Sequence, residues 1–273
     1  MPAIPSSRSL GRFALNGAAA VTLAYILTPL VFVFWLSFFA QEIPSFPPEG
    51  YALTWYKAIP GNDRFLQGFV LSLQVGVMAT LIGLMLGVPA ALVISRFKFA
   101  GRETLNSLLL LPLVVPGIVL GIALYVFHVE AEIATGWGIL GSLGGLVAGH
   151  VLIVIPWTVR LVTASLAGLD RATEEAAQSL GANRWTTFRR ITLPSILPGI
   201  VAAALFGFVS SFGNLEMSLF LVGPGRTTLP IAILQYLEWK IDPTIAAVSV
   251  LNILLIGCAM LLTDRYVKIA RVV

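Results

Sequence analysis

The sequence predicts an all-α protein, a polytopic transmembrane helical bundle of six spans with both termini in the cytoplasm. Three observations carry that prediction. Hydrophobic residues make up 58% of the chain and charged ones 11%, against about 25% charged in a soluble domain. So few charges cannot coat a globule of 273 residues, so lipid must be part of the solvent. Six uncharged intervals are each long enough to cross a bilayer, which takes about 20 residues. Finally, Lys and Arg are divided unequally between alternate loops, the signature of a fixed orientation.

In chain order, Arg8 and Arg12 precede the apolar run Phe13–Ala40. That run is too long for a secretory h-region and lacks a small-residue cleavage site, so it reads as a retained first span. The remaining uncharged intervals are Phe65–Ser95, Thr104–Val129, Ile133–Val159, Ile191–Leu215 and Pro243–Thr263. Span cores are predicted near 18–39, 70–94, 106–127, 143–163, 199–220 and 245–263. Between the first two lies Gln41–Arg64, whose Phe46, Tyr51, Trp55 and Tyr56 suit an interfacial aromatic belt. Thr227–Leu237 is too short to span and reads as an amphipathic or re-entrant helix on the far side.

With a cytoplasmic N-terminus, that side holds Arg8, Arg12, Arg96, Lys98, Arg102, Arg160, Arg171, Arg184, Arg189, Arg190, Arg265, Lys268 and Arg271. The opposite side holds Lys57, Arg64, Arg226 and Lys240. Thirteen against four of the 17 cations sets the orientation. The net charge of +4 then reflects this bias and not a nucleic-acid surface. The single Cys258 has no disulfide partner and no ligand set around it. No internal repeat is visible, and the chain reads as one transmembrane domain over 1–273.

Motifs for soluble chemistry fail on context. GWGILG at Gly136–Gly141 spells a dinucleotide fingerprint but follows no strand. No P-loop occurs, and His128 and His150 lack partner ligands, so core hydrogen bonding is the expectation for His150. The pairs Gly83/Gly87, Gly117/Gly121 and Gly145/Gly149 predict close helix approach. Pro112 and Pro116, four apart on one face of the third span, predict a bent helix that either lines a pore or is kinked for packing alone. Glu216 is the one acid expected at membrane depth, near the outer end of the fifth span. An ion at a helix centre costs about 2.5–3.5 kcal/mol, and less near an interface, so with Asn214 it is a candidate for the pathway or its gate.

The longest polar interval between spans is about 166–198. Asp170 suits a helix start, RATEEAAQSLGA a short helix with early acids, and Gly181 a sharp turn. Asn183 can cap a second helix with Trp185, Phe188 and Ile191 on its apolar face, and Leu193-Pro194 is expected to end the polar part and angle the chain back into the membrane. A rigid helix–turn–helix projection of this kind fits a groove on another protein.

Glu175-Ala176-Ala177, three residues, Gly181, nine residues, then Ile191-x-Leu193-Pro194 resembles the EAA loop of binding-protein-dependent ABC importer permeases (MetI-like). The stretches at 108–124, 149–162 and 218–230 resemble the spermidine/putrescine-type branch, and the likeness covers most of 65–263. Where that branch carries an acid after Ser-Phe, this chain reads Ser211-Phe212-Gly213-Asn214, with the acid displaced to Glu216. The resemblance implies a MetI-like permease in a bacterial inner membrane, with no catalytic, metal or cofactor site of its own. ATP-Mg would sit on a cytoplasmic ABC ATPase dimer, contacted through Glu174, Glu175, Ala176, Ala177, Leu180, Gly181, Ala182, Ile191, Leu193 and Pro194. It also implies a second permease chain, commonly a paralogue, and a periplasmic solute-binding protein. The implied cargo is a polyamine or related organic amine; aminophosphonates, opines and ferric ion are carried by similar permeases. An ion-gradient transporter would need a deep proton-relay acid, and an intramembrane enzyme a catalytic constellation; the sequence offers only Glu216 and two unpaired histidines.

Overall fold

The computed structural model describes residues 7–267, so Lys268 and Arg271 of the basic C-terminal set lie outside the described residues. The helices are α1 (Ser7–Leu36), α2 (Thr54–Ala58), α3 (Asp63–Arg96), α4 (Arg102–Leu110), α5 (Gly117–Thr135) and α6 (Leu143–Ala167). They continue with α7 (Arg171–Ser179), α8 (Arg184–Thr187), α9 (Leu193–Phe212), α10 (Ser218–Leu221), α11 (Leu229–Trp239) and α12 (Thr244–Val267). Among the described residues, β structure is limited to two isolated bridges, Phe39 with Tyr51 and Gly141 with Val222. Among the described residues, six helical segments are long and apolar enough to cross a membrane: Leu15–Leu36, Asp63–Arg96, Gly117–Thr135, Leu143–Ala167, Arg184–Phe212 and Thr244–Asp264.

Contacts divide the chain into two compact units, one of residues up to Gly61 with Tyr236–Leu254, the other of Asn62–Gln235 with residues from Leu255 on. In the first unit the segment after α1 is held by aromatic side chains. Trp55 Nε1 donates to the Phe39 carbonyl at 2.7 Å, and the Ser37 and Tyr56 hydroxyls lie 2.7 Å apart. The same unit holds a polar clasp. Lys240 Nζ lies 3.1 Å from Asp242 and 3.6 Å from Glu42, and stands over the Trp55 ring. The buried Asp242 also accepts from the Tyr236 hydroxyl at 2.7 Å and the Thr244 amide at 2.9 Å. Burial alone would raise the Asp242 pKa, but the hydrogen bonds from Thr244, Tyr236 and Lys240 outweigh it and leave the carboxyl below its usual range.

The core of the second unit is α3, α6 and α9, which pack pairwise on one another. Asn62 caps α3 through the Arg64 and Phe65 amides, and Ser142 caps α6 through Gly145, each meeting amides that the first turn leaves free. Glycines set the spacing. Val154, fully buried on α6, would be struck by a Cβ at Gly83 of α3 and by one at Gly207 of α9. A Cβ at Gly87 would come within 2.6 Å of Thr158. Small residues in one helix thus admit branched residues of another, the close approach that the Gly83/Gly87 pair predicts.

Span boundaries depart from expectation in three places. The first span ends at Leu36, so 37–39 belong to the turn after it. The third, expected at 106–127, begins only at Gly117 and runs to Thr135, carrying His128, Glu130 and Glu132. Lack of charge between Thr104 and Val129 says nothing of backbone continuity, and the prolines interrupt it. The fifth, expected at 199–220, stops at Phe212 and reaches back to Arg184. Gly213 ends the helix, and Asn214 then turns its side chain onto the Met217 and Ser218 amides at 3.0 and 3.4 Å.

Leu193-Pro194 leaves the helix unbroken and carries it into the fifth span. Residues 188–192 form a π turn, with the Leu193 amide donating to the Phe188 carbonyl five residues back, and α9 follows without a break. A proline at 194 has no amide to give and would press on the carbonyl four residues earlier. The wider turn relieves that contact, and Ser195 Oγ caps the Ile191 carbonyl at 2.7 Å.

Candidate functional site

The polar projection folds locally as its residues dictate. Asp170 Oδ1 accepts from the Ala172 amide at 2.9 Å and starts α7. Gly181 takes φ +91°, outside the ordinary range of L side chains, and reverses the chain. Asn183 Oδ1 accepts from the Thr186 amide at 2.8 Å and starts α8. The result is an exposed ridge. Leu180 is 90% exposed and Trp185 67%, the latter stacked on Phe188 at 5.7 Å. Glu175 and Ala176 face outward; Ala177 and Ala182 are half-buried. Among the described residues no atom lies within 4 Å of the Cβ position at Gly181, so there the glycine is demanded by backbone conformation and not by a close neighbour.

The two adjacent glutamates separate. Glu175 pairs with Arg171 at 3.3 Å on the exposed face, a contact worth only about 0.3–0.5 kcal/mol. Glu174 turns inward: Oε2 lies 3.1 Å from Arg96 at the end of α3, and Oε1 accepts from Thr192 Oγ1 at 2.6 Å. Ile191 and Leu193 are half-buried and Pro194 exposed. Sequence reasoning grouped Glu174 with the outward residues. It missed Arg96 and Thr192, because partners 78 and 18 residues away leave no local signal.

A second locus forms where α9 ends, α10 begins and α5 starts. His150 on α6, 1% exposed, joins two of them: Nδ1 lies 2.7 Å from Ser211 Oγ and Nε2 3.0 Å from Ser218 Oγ. Ser218 Oγ donates to the Asn214 carbonyl at 2.7 Å. Its proton is therefore spent, so Nε2–H donates to Ser218 and the Ser211 hydroxyl donates to Nδ1. The expected core role of His150 is met.

Pro112 lies in a 3₁₀ turn, Leu111–Leu113, and Pro116 is the N-cap residue of α5. They sit in a break between α4 and α5, not on one face of a bent helix, which corrects that expectation. Pro116 has φ −54° and ψ 134°, and the extended residue lets α5 restart in a new direction. Glu216 is corrected too: it lies in the turn after the fifth span, exposed, with its carboxylate against Gly117 in the first turn of α5. A Cβ at Gly117 would collide with Glu216, and one at Gly121 would meet Phe220 at 2.7 Å. A carboxylate at a helix N-terminus is favoured by the free amides there. Asn214 and Glu216 thus share one turn, fixed by His150 on one side and facing the proline break on the other. An open groove of about 430 Å³, lined by Gln67, Gln74, Arg226 and Thr227 among others, adjoins the start of α3 and includes neither residue.

Comparison with known proteins is consistent across sequence and fold. Residues 79–270 match the family described as "Binding-protein-dependent transport system inner membrane component". The putrescine transport system permease protein PotI of Escherichia coli K12 is 31% identical over 209 residues, 76% of this chain and 74% of that one. The spermidine/putrescine transport system permease protein PotC of the same strain is 26% identical over 259 residues, 94% of this chain and 95% of its own. Among solved structures, a chain of a bacterial ABC transporter that imports the acidic polysaccharide alginate aligns with a TM-score of 0.72. That alignment covers 97% of this chain and 99% of that one, at 14% identity.

Proposed function

The chain belongs to the family of binding-protein-dependent transport system inner membrane components, and from that premise we propose how it works and what it carries. It is the permease subunit of an ABC importer, an inner-membrane protein and not an enzyme. In our reading both termini face the cytoplasm, which the distribution of Lys and Arg supports, and the two units act together as one permease domain. The projection from Leu166 to Pro198 then docks in a groove of a cytoplasmic ATPase, which binds ATP-Mg. A second, paralogous permease chain completes the pathway, and a periplasmic binding protein delivers the solute.

The observation that carries this reading is the ridge itself. Leu180 and Trp185 stand 90% and 67% exposed on a capped, glycine-turned projection, and apolar residues presented this way are explained by burial against a partner. The cargo is a polyamine or related organic amine, in keeping with PotI and PotC and with Glu216 as the acid at the mid-chain turn. Proteoliposomes holding this chain, its paralogue and the ATPase, supplied with the binding protein, are expected to accumulate labelled putrescine when ATP is present. Uptake of 2-aminoethylphosphonate in its place would overturn the cargo, and uptake driven by an ion gradient without ATP would overturn the coupling.

A further inference from the structure

We infer that Glu174 is the internal strut that passes force from α7 into the membrane helices, a positioning residue for transport that does not touch the ATPase. The inference rests on the docking of α7 proposed above. No residue of α7 is fully buried, and seven of its nine are exposed; only Glu174 and Ala177 are half-buried. Its principal contacts are with α8 and the π turn. A helix so lightly held would tilt under load without moving what lies behind it.

The Glu174 carboxylate changes that. Its side chain is 14% exposed and that of Arg96 19%, and they meet at 3.1 Å. Its other oxygen takes the 2.6 Å bond from Thr192, which is 5% exposed. One carboxylate therefore ties α7 to the last residue of α3 and to the last residue of the π turn below α9. Those two helices pack on each other and on α6 through the glycine contacts at Val154 and Thr158. Displacement of α7 is thus delivered to two members of the packed trio at once. Glu175, one residue on, pairs with the exposed Arg171 of its own helix and cannot do this.

The test uses the full permease with its paralogue and ATPase in proteoliposomes, and a readout independent of cargo. In a Cys258→Ala background, Leu219→Cys places a single thiol on the half-exposed α10. The rate of its reaction with a water-soluble maleimide is measured with and without ATP-Mg. The strut predicts that Glu174→Ala leaves ATPase copurification intact. It also predicts that the ATP-dependent change in rate shrinks about fivefold or more, the low end for coupled sites. The swap Arg96→Glu with Glu174→Arg is expected to restore most of that change, which simple loss of local stability would not allow. A full response in Glu174→Ala with the ATPase bound overturns the strut. Loss of the ATPase from Glu174→Ala alone also overturns it, by placing Glu174 at the interface. Failure of the parent chain to bind any ATPase overturns the docking reading instead.

Discussion

Replacing His150 with Leu removes both hydrogen bonds that hold the end of α9 and the start of α10 to α6 while keeping most of the side-chain volume. Two magnitudes compete. Stranding two buried hydroxyls costs about 1–3 kcal/mol each in a soluble core, whereas single interhelical hydrogen bonds in a membrane protein average about 0.6 kcal/mol and reach about 1.7. The local geometry favours the smaller figure. Ser218 keeps its bond to the Asn214 carbonyl. Ser211 can turn to the carbonyl one helical turn back, as Thr80 does to Gly76 at 2.6 Å and Thr158 to Val154 at 3.1 Å. The expected loss for His150→Leu is therefore about 1–3 kcal/mol in total. The assay is reversible unfolding in mixed detergent micelles for His150→Leu, Ser218→Ala and the double variant. A His150–Ser218 coupling below about 0.3 kcal/mol, the scatter of independent sites, would refute the clamp and the proton assignment built on it.

Two further outcomes follow from the loop and the clasp. Asn tolerates positive φ better than other non-glycine residues, so Gly181→Asn should fold and insert normally. Because none of the described residues approaches that position, any fall in ATPase copurification and in solute moved per ATP reports the partner's surface; unchanged values for both would sink the docking of this turn. Asp242→Asn should destabilise the protein at neutral pH. The folded carboxyl sits below its unfolded value of about 3.9, so its stabilisation is present above that value and lost as pH falls through the folded one. Melting temperatures of variant and parent should therefore converge as pH falls below the usual carboxylate range, and a constant gap would contradict the assignment.

Much of the architecture was legible because lipid imposes so strong a composition. Six uncharged runs gave six spans, and Asp170, Gly181, Asn183 and the glycine pairs behave as their local chemistry requires. What escaped was backbone continuity inside apolar stretches. Pro112 and Pro116 break a run that composition leaves seamless, while Pro194 sits in one that stays helical. The same residue type gave opposite results because a π turn precedes one proline and loop geometry surrounds the others. Contacts distant in sequence, such as Arg96 with Glu174 and His150 with Ser211, had no periodicity to betray them.

The π turn at 188–192 also indexes rotation. An α-helix advances about 100° and 1.5 Å per residue, and this turn accommodates one residue more than an α turn would. Deleting a single residue there would let the helix close up, at the expense of swinging Trp185, Leu180 and all of α7 by about 100° around the helix axis. The segment should therefore accept changes of side chain far more readily than changes of length. Deleting Arg189 or Arg190 would leave every docking residue present and aim those before it at the wrong quadrant.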